Sequence, residues 1–186
     1  AAWVGDTLDS DFWKDGVELK NPEKDTNKKL AEELQKATIT DKSNRTTADE
    51  VLNPEDGKLE VKFKDNSILE VTQKLYVYKN GSEKPNVPNP PTAKDSVEVT
   101  YKKGTGVKPF DDKVVFVKKN TKEKELPGKP NATVDTKNGY KGEVIWTAEP
   151  AIDETNGIQK NTTVTATAEK KTTKEIIEEA GGLKGK

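Results

Sequence analysis

Apolar and polar residues alternate most regularly over KLEVKFKDNSILEV, from Lys58 to Val71. Leu59, Val61 and Phe63 fall on one side of an extended chain, and Glu60, Lys62 and Lys64 on the other. That pattern predicts a strand with one buried and one wet face. Asp65-Asn66-Ser67 supplies turn chemistry, Ile68, Leu69 and Val71 begin a return strand, and Leu75 to Tyr78 continues the sheet. Upstream, in KLAEELQKA, Leu30, Leu34 and Ala37 recur at i, i+4 and i+7, the spacing of a helix with a narrow apolar face. Asp25, Thr26 or Asn27 can cap its start, and Glu32 and Lys36 have the spacing of an ion pair. So short a helix persists only when docked. A brief strand is expected at ATITD. Trp3, Leu8, Phe12, Trp13 and Val17 precede all this and are expected to pack onto the first core. The first half therefore reads as a short helix on a small, mostly antiparallel sheet.

The second half restarts with Val97, Val99 and Tyr101 alternating with Glu98 and Thr100. KVVFVKK and GYKGEVIWTA read as further strands, the latter with Val144 and Trp146 on one face. NTTVTATAEK closes the sheet, with Val164, Ala166 and Ala168 inward and Thr163, Thr165 and Thr167 outward. TKEKELPGKP gives one helical turn stopped by Pro127. In the tail, Thr172 and Glu175 have capping-box spacing ahead of Ile176 and Ile177.

Between the halves lie Pro85, Pro88, Pro90 and Pro91. Proline lacks a donor and pushes its predecessor to extended geometry, so EKPNVPNPP cannot be a central strand. It is expected to form a semi-rigid junction. The expected organisation is one small domain over residues 1–82, a junction over 83–94, a β-rich module over 95–170 and, over 171–186, the start of a following segment or a disordered tail. The fold class is mainly β with minor α.

Composition narrows the chemistry. Of 186 residues, 30% are hydrophobic and 35% charged, which favours two small cores over one large one. Net charge is −1, so no strong field draws nucleic acid or a membrane surface. There is no Cys, His or Met. This excludes disulfides, zinc-thiolate sites and thiolate or imidazole catalysis, leaving only carboxylate or Ser/Lys chemistry for an enzyme. No apolar stretch approaches the length of a membrane helix. AAWVGD at the start and GGLKGK at the end read as cuts through a longer protein, and the composition fits either a secreted parent from a source that avoids disulfides or a cytosolic one.

The motifs with chemical content are few. GTG at Gly104 to Gly106 lacks the further residues of a phosphate loop and reads as a turn. Asp111 and Asp112 beside Phe110, and Asp9, Asp11 and Asp15 near Trp13, lack the ordered oxygen spacing of a calcium loop. Asn44, Asn80, Asn131 and Asn161 stand in Asn-x-Ser/Thr sequences, which a chain rich in Asn and Thr produces by chance. Lys with Asn or Asp also allows an internal isopeptide bond, for which the sequence nominates no residues. The candidates for ligand contact are aromatic: Trp3, Trp13, Tyr76, Tyr78 and Trp146.

The stretch from DGVELKNPEKDTNKKLAEELQKATITD through GKLEVKFKDNSILEV to QKLYVYKN resembles the atypical Rib domain of Gram-positive cell-surface proteins, with Asn66 where that family is expected to carry Gly. SVEVTYKKGTG, VVFVKKNTKEKELP, GYKGEVIW and NTTVTATAEK are similar to the SHIRT-like or bacterial β repeats found beside such domains. The resemblance implies a cell-wall-anchored, extracellular multidomain protein in which these modules form a stalk projecting a distal adhesive domain. It brings no catalytic residue, metal or cofactor. The expected partners are neighbouring domains of the same protein, and, on the alternative reading of an adhesin module, a host protein or glycan. The chain itself is expected to be a monomer.

Overall fold

The computed structural model describes residues 1–186 apart from the side chain of Asn53. The fold is mainly β with minor α: two four-stranded sheets and three short α-helices. The chain divides into two compact units, one of residues 1–79 with 91–94, the other of residues 80–90 with 95–186.

In the first unit, β1 (Ala2–Trp3), β2 (Thr38–Asp41), β3 (Leu52–Lys62) and β4 (Ile68–Tyr78) form a sheet of order β1-β4-β3-β2. β1 runs parallel to β4, and the other neighbours are antiparallel. The β3–β4 turn closes where the sequence placed it. Phe63 N–H donates to Ser67 O at 2.9 Å, and Asn66 N–H to Phe63 O at 2.9 Å. Asn66 sits at φ 70°, a left-handed position that asparagine tolerates nearly as well as glycine. Two helices flank the sheet. α1 (Ser10–Lys14) has no periodic signal in the sequence, yet Asp9 caps it by accepting from Phe12 N–H at 2.9 Å, and it buries Trp13. α2 (Lys29–Lys36) is capped from a distance: the Asp25 carboxylate accepts from Leu30 N–H at 2.9 Å and Ala31 N–H at 2.8 Å. Leu34 and Ala37 reach the core, but Leu30 is exposed, so the helix docks through one end only. The core gathers Leu8, Trp13, Ile39, Leu59, Val61, Leu75 and Val77.

In the second unit, β5 (Ser96–Lys103), β6 (Lys113–Lys118), β7 (Tyr140–Glu149) and β8 (Thr162–Lys170) form a sheet of order β6-β5-β8-β7. The central pair β5–β8 is parallel and both edges are antiparallel. Val97, Val99, Tyr101, Val115, Val117, Ile158 and Val164 make the core, with Trp146 packed against it. Val164 and Ala166 are buried as their alternation predicts. A helix, α3 (Thr173–Glu179), starts at the capping box of Thr172 and Glu175.

The proline-rich stretch takes on two local roles. Residues 81–84, which contain no proline, lie along β6. Gly81 N–H donates to Phe116 O at 2.7 Å, Phe116 N–H to Ser82 O at 2.8 Å and Lys84 N–H to Val114 O at 2.9 Å. Pairing stops at Pro85, which has no N–H to offer. Further on, Pro91 O accepts from the Tyr78 hydroxyl at 2.8 Å, and Lys94 O from the Trp3 indole at 2.8 Å.

Candidate functional site

The five aromatic residues nominated for ligand contact fall into three places. Trp13 is in the first unit's core, where its ring meets Phe12 edge-on. Trp3, Tyr76 and Tyr78 cluster at the β1–β4 end, with ring centroids 6.4 Å apart for Trp3–Tyr78 and 6.2 Å for Tyr76–Tyr78. All four are buried. Trp146 alone is half-buried, edge-on to Tyr101 at 5.6 Å and 6.2 Å from Phe110.

The hydroxyls of two buried tyrosines have partners. Tyr78 donates to Pro91 O, and Tyr101 donates to Pro127 O at 2.7 Å. Burial pushes both phenols up to about 12, helped for Tyr78 by the nearby Tyr76. These are hydroxyls held neutral as hydrogen-bond donors, the usual state of a structural tyrosine.

The ionised groups also point to structure. Asp41 is the one buried acid among the described residues. Burial alone would raise its pKa, but the Arg45 Nε–H bond at 2.8 Å and the Ser43 N–H bond at 3.1 Å hold it below the ordinary value. Arg45 also pairs with Glu55. At the other end of the chain, Glu175 is held down at about 2 by the Lys141 ammonium at 2.6 Å and by the Thr172 N–H and hydroxyl. The acidic motifs serve as caps and surface pairs: Asp9 caps α1, and Asp112 pairs with Lys102 at 3.3 Å. No cluster of three or more His, Cys, Asp or Glu able to hold a metal occurs among the described residues. No described lysine is buried.

One concave feature stands out, and the sequence pattern did not point to it. A groove of about 1150 Å³ in the first unit runs between α2 and the β3–β4 hairpin. Leu30 and Leu34 form one wall, Phe63, Leu69 and Val71 the other, and Val17 to Lys20 one end. By register, Val71 lies beside Leu59 and Leu69 beside Val61, so all four share the core face of the sheet. Leu59 and Val61 are covered, whereas Leu69 is 65% exposed. Two acids at this groove are held below their ordinary values, Asp65 by the Ser67 hydroxyl and Glu70 by Lys42. The available signal was one of length. Two eleven-residue strands are flanked by partners of only four and two residues.

Compared with protein-family models, with curated proteins and with solved structures, the chain gives no match.

Proposed function

We propose that this chain is a non-enzymatic spacer within a bacterial cell-surface adhesin, projecting a distal binding domain outward from the cell wall. The observation that carries the reading is where the aromatic side chains lie. Trp3, Trp13, Tyr76 and Tyr78, the residues a recognition surface would display, are buried and hydrogen-bonded or ring-packed within their own unit. Two separate apolar clusters, one per unit, fit modules that add length by repetition. The likeness of the first half to atypical Rib domains, and of the second to SHIRT-like repeats, supports the same reading. So does the character of several perturbed titratable groups, among them the buried tyrosines Tyr78 and Tyr101 and the ion-paired Asp41 and Glu175.

Single-molecule pulling on the whole chain tests this reading. A spacer of two units unfolds in two separate steps, and a single all-or-none step counts against it. The second reading, an adhesin module that itself holds a host protein or glycan, has one specific observation in its favour: Trp146 is half-buried beside Phe110. Glycan and host-matrix panels that shift tryptophan emission in the native chain, but not in Trp146→Phe, would establish it in place of the spacer.

A further inference from the structure

Three asparagines precede a glycine, at Asn80-Gly81, Asn138-Gly139 and Asn156-Gly157. Such a pair carries its own chemistry. The glycine nitrogen attacks the asparagine Cγ, and the Cγ–Nδ2 bond breaks. Ammonia leaves with the proton of the glycine N–H, and a succinimide ring remains. Water then opens either carbonyl of the ring, giving an aspartyl or an isoaspartyl linkage. Nothing but water enters. Glycine favours the step because it has no side chain to hinder the ring and its backbone turns freely. In a folded chain the step needs a side chain free to rotate, a glycine N–H able to leave its acceptor, and room for both to move. Asn80 has none of these. Its Oδ1 accepts from Lys118 N–H at 2.8 Å and its Nδ2 donates to Thr121 Oγ1 at 3.2 Å. Gly81 N–H donates to Phe116 O at 2.7 Å, and the Pro127 ring stands 2.7 Å from where a Gly81 Cβ would lie. Asn156 is exposed, but its glycine is clamped. Gly157 is buried, and its N–H donates to Asp153 O at 2.9 Å. The next residue, Ile158, exchanges backbone bonds of 2.8 Å with Thr121 O and Asn120 N–H.

Asn138 differs on each count. It is exposed and ends a single helical turn, Thr136–Asn138. Gly139 N–H reaches Thr136 O at 3.2 Å, the longest of the three glycine bonds, and nothing lies within 4 Å of where a Gly139 Cβ would stand. The Asn138 side chain is tied by one exposed bond, from Nδ2 to Asp135 Oδ2 at 2.6 Å. We propose that Asn138-Gly139 is a site of spontaneous covalent modification, converting through a succinimide to aspartyl and isoaspartyl forms ahead of the other two pairs and releasing the start of β7. The amide that donates to Asp135 becomes a carboxylate, so a donor–acceptor pair turns into two like charges. The isoaspartyl form also lengthens the backbone by one carbon inside the turn. That turn is an anchor. Asp135 O accepts from Tyr140 N–H at 3.3 Å, and Gly139 O accepts from Lys171 N–H at 2.8 Å, beside the Tyr140–Lys170 pairing of β7 and β8. The modification therefore marks the age of the chain in its second unit, and it stands apart from the spacer reading.

The test incubates the full chain in mildly alkaline buffer and follows the three sites by peptide mapping and mass spectrometry. In the folded chain Asn138 should convert at least about tenfold faster than Asn80 or Asn156, the difference made by the further bonds those sites must break. In concentrated urea the three should convert at similar rates, which shows that the fold makes the choice. Gly139→Ala, whose methyl meets open space, should slow Asn138 in both conditions. Asn138→Asp carries the new charge from the start. It should speed amide hydrogen exchange at Tyr140 and Lys171 and leave Val99 and Val115, in the second core, unchanged. Equal rates at the three sites in the folded chain would overturn the proposal. So would a faster Asn80 or Asn156, a folded chain that keeps Asn138 intact while the unfolded one converts, or exchange at Lys171 unmoved in Asn138→Asp.

Discussion

The Tyr101 hydroxyl makes a prediction with a worked crossing point. Tyr101 is fully buried in the second core and donates to Pro127 O at 2.7 Å. Tyr101→Phe removes that bond and leaves a part-buried carbonyl without its partner, a cost of about 1.5 kcal/mol at neutral pH. The same burial raises the phenol from its ordinary 10 to about 12 in the folded chain. A raised acid favours the folded state while it stays neutral. Its contribution is therefore complete below pH 10 and is lost as pH rises toward 12. At about pH 11 the loss is roughly 1.4 kcal/mol, and above 12 it approaches roughly 2.7 kcal/mol. Tyr101→Phe lacks this loss, and every other group is common to both chains. The second unit of the variant should therefore be less stable than wild type at pH 7, equal to it near pH 11 and more stable beyond. Urea unfolding followed by near-ultraviolet circular dichroism at steps between pH 7 and pH 12 reads the difference directly. Parallel stability curves for the two proteins would refute the reasoning, because they would mean that the hydroxyl is equally at home in water and in the core.

Asp41→Asn should destabilise the first unit by about 2 kcal/mol, by removing the charge that accepts from Arg45 and Ser43. Because the folded pKa of Asp41 is depressed, its contribution is present above about pH 4 and lost as pH falls through the folded value. Acid titration of stability should accordingly be shallower in the variant. Gly157 lies at φ 75° with Asn120 O only 2.4 Å from where a Cβ would stand, whereas Gly139 at φ 90° has open space there. Gly157→Ala should therefore lower the melting temperature well beyond the effect of Gly139→Ala, which meets only the left-handed penalty of about 1 kcal/mol. Leu59→Ala, at a fully covered position, should cost about 2–5 kcal/mol in the first unit while calorimetry finds the second unit's transition unmoved.

What could be read from the sequence was periodic. Leu59 and Val61 alternate and are buried, Asp65-Asn66-Ser67 makes the turn, Val97, Val99 and Tyr101 form a core face, and Thr172 with Glu175 caps α3. Elements too short to have a period escaped: β1 has two residues and α1 five, each fixed by tertiary pairing or a cap rather than by propensity. Alternation also says which face of a strand is apolar, not whether anything covers it. Leu69 and Val71 carry the same signal as Leu59 and Val61, and only the lengths of the neighbouring strands separate exposed from buried. Aromatic residues are ambiguous for a similar reason. A tryptophan suits a core or a binding surface equally well until its neighbours are known, and Trp3 and Trp13 are enclosed where Trp146 is half open.

The central claim is that each unit stands on its own core. It is met most directly by expressing residues 1–94 and residues 80–186 as separate chains. Both keep residues 80–94, because Pro91 and Lys94 hold Tyr78 and Trp3 in the first unit and residues 81–84 cover β6 in the second. Dispersed amide spectra and a cooperative melt from each piece alone are the predicted result. Two pieces that are unstructured when separate and ordered only when joined would contradict it.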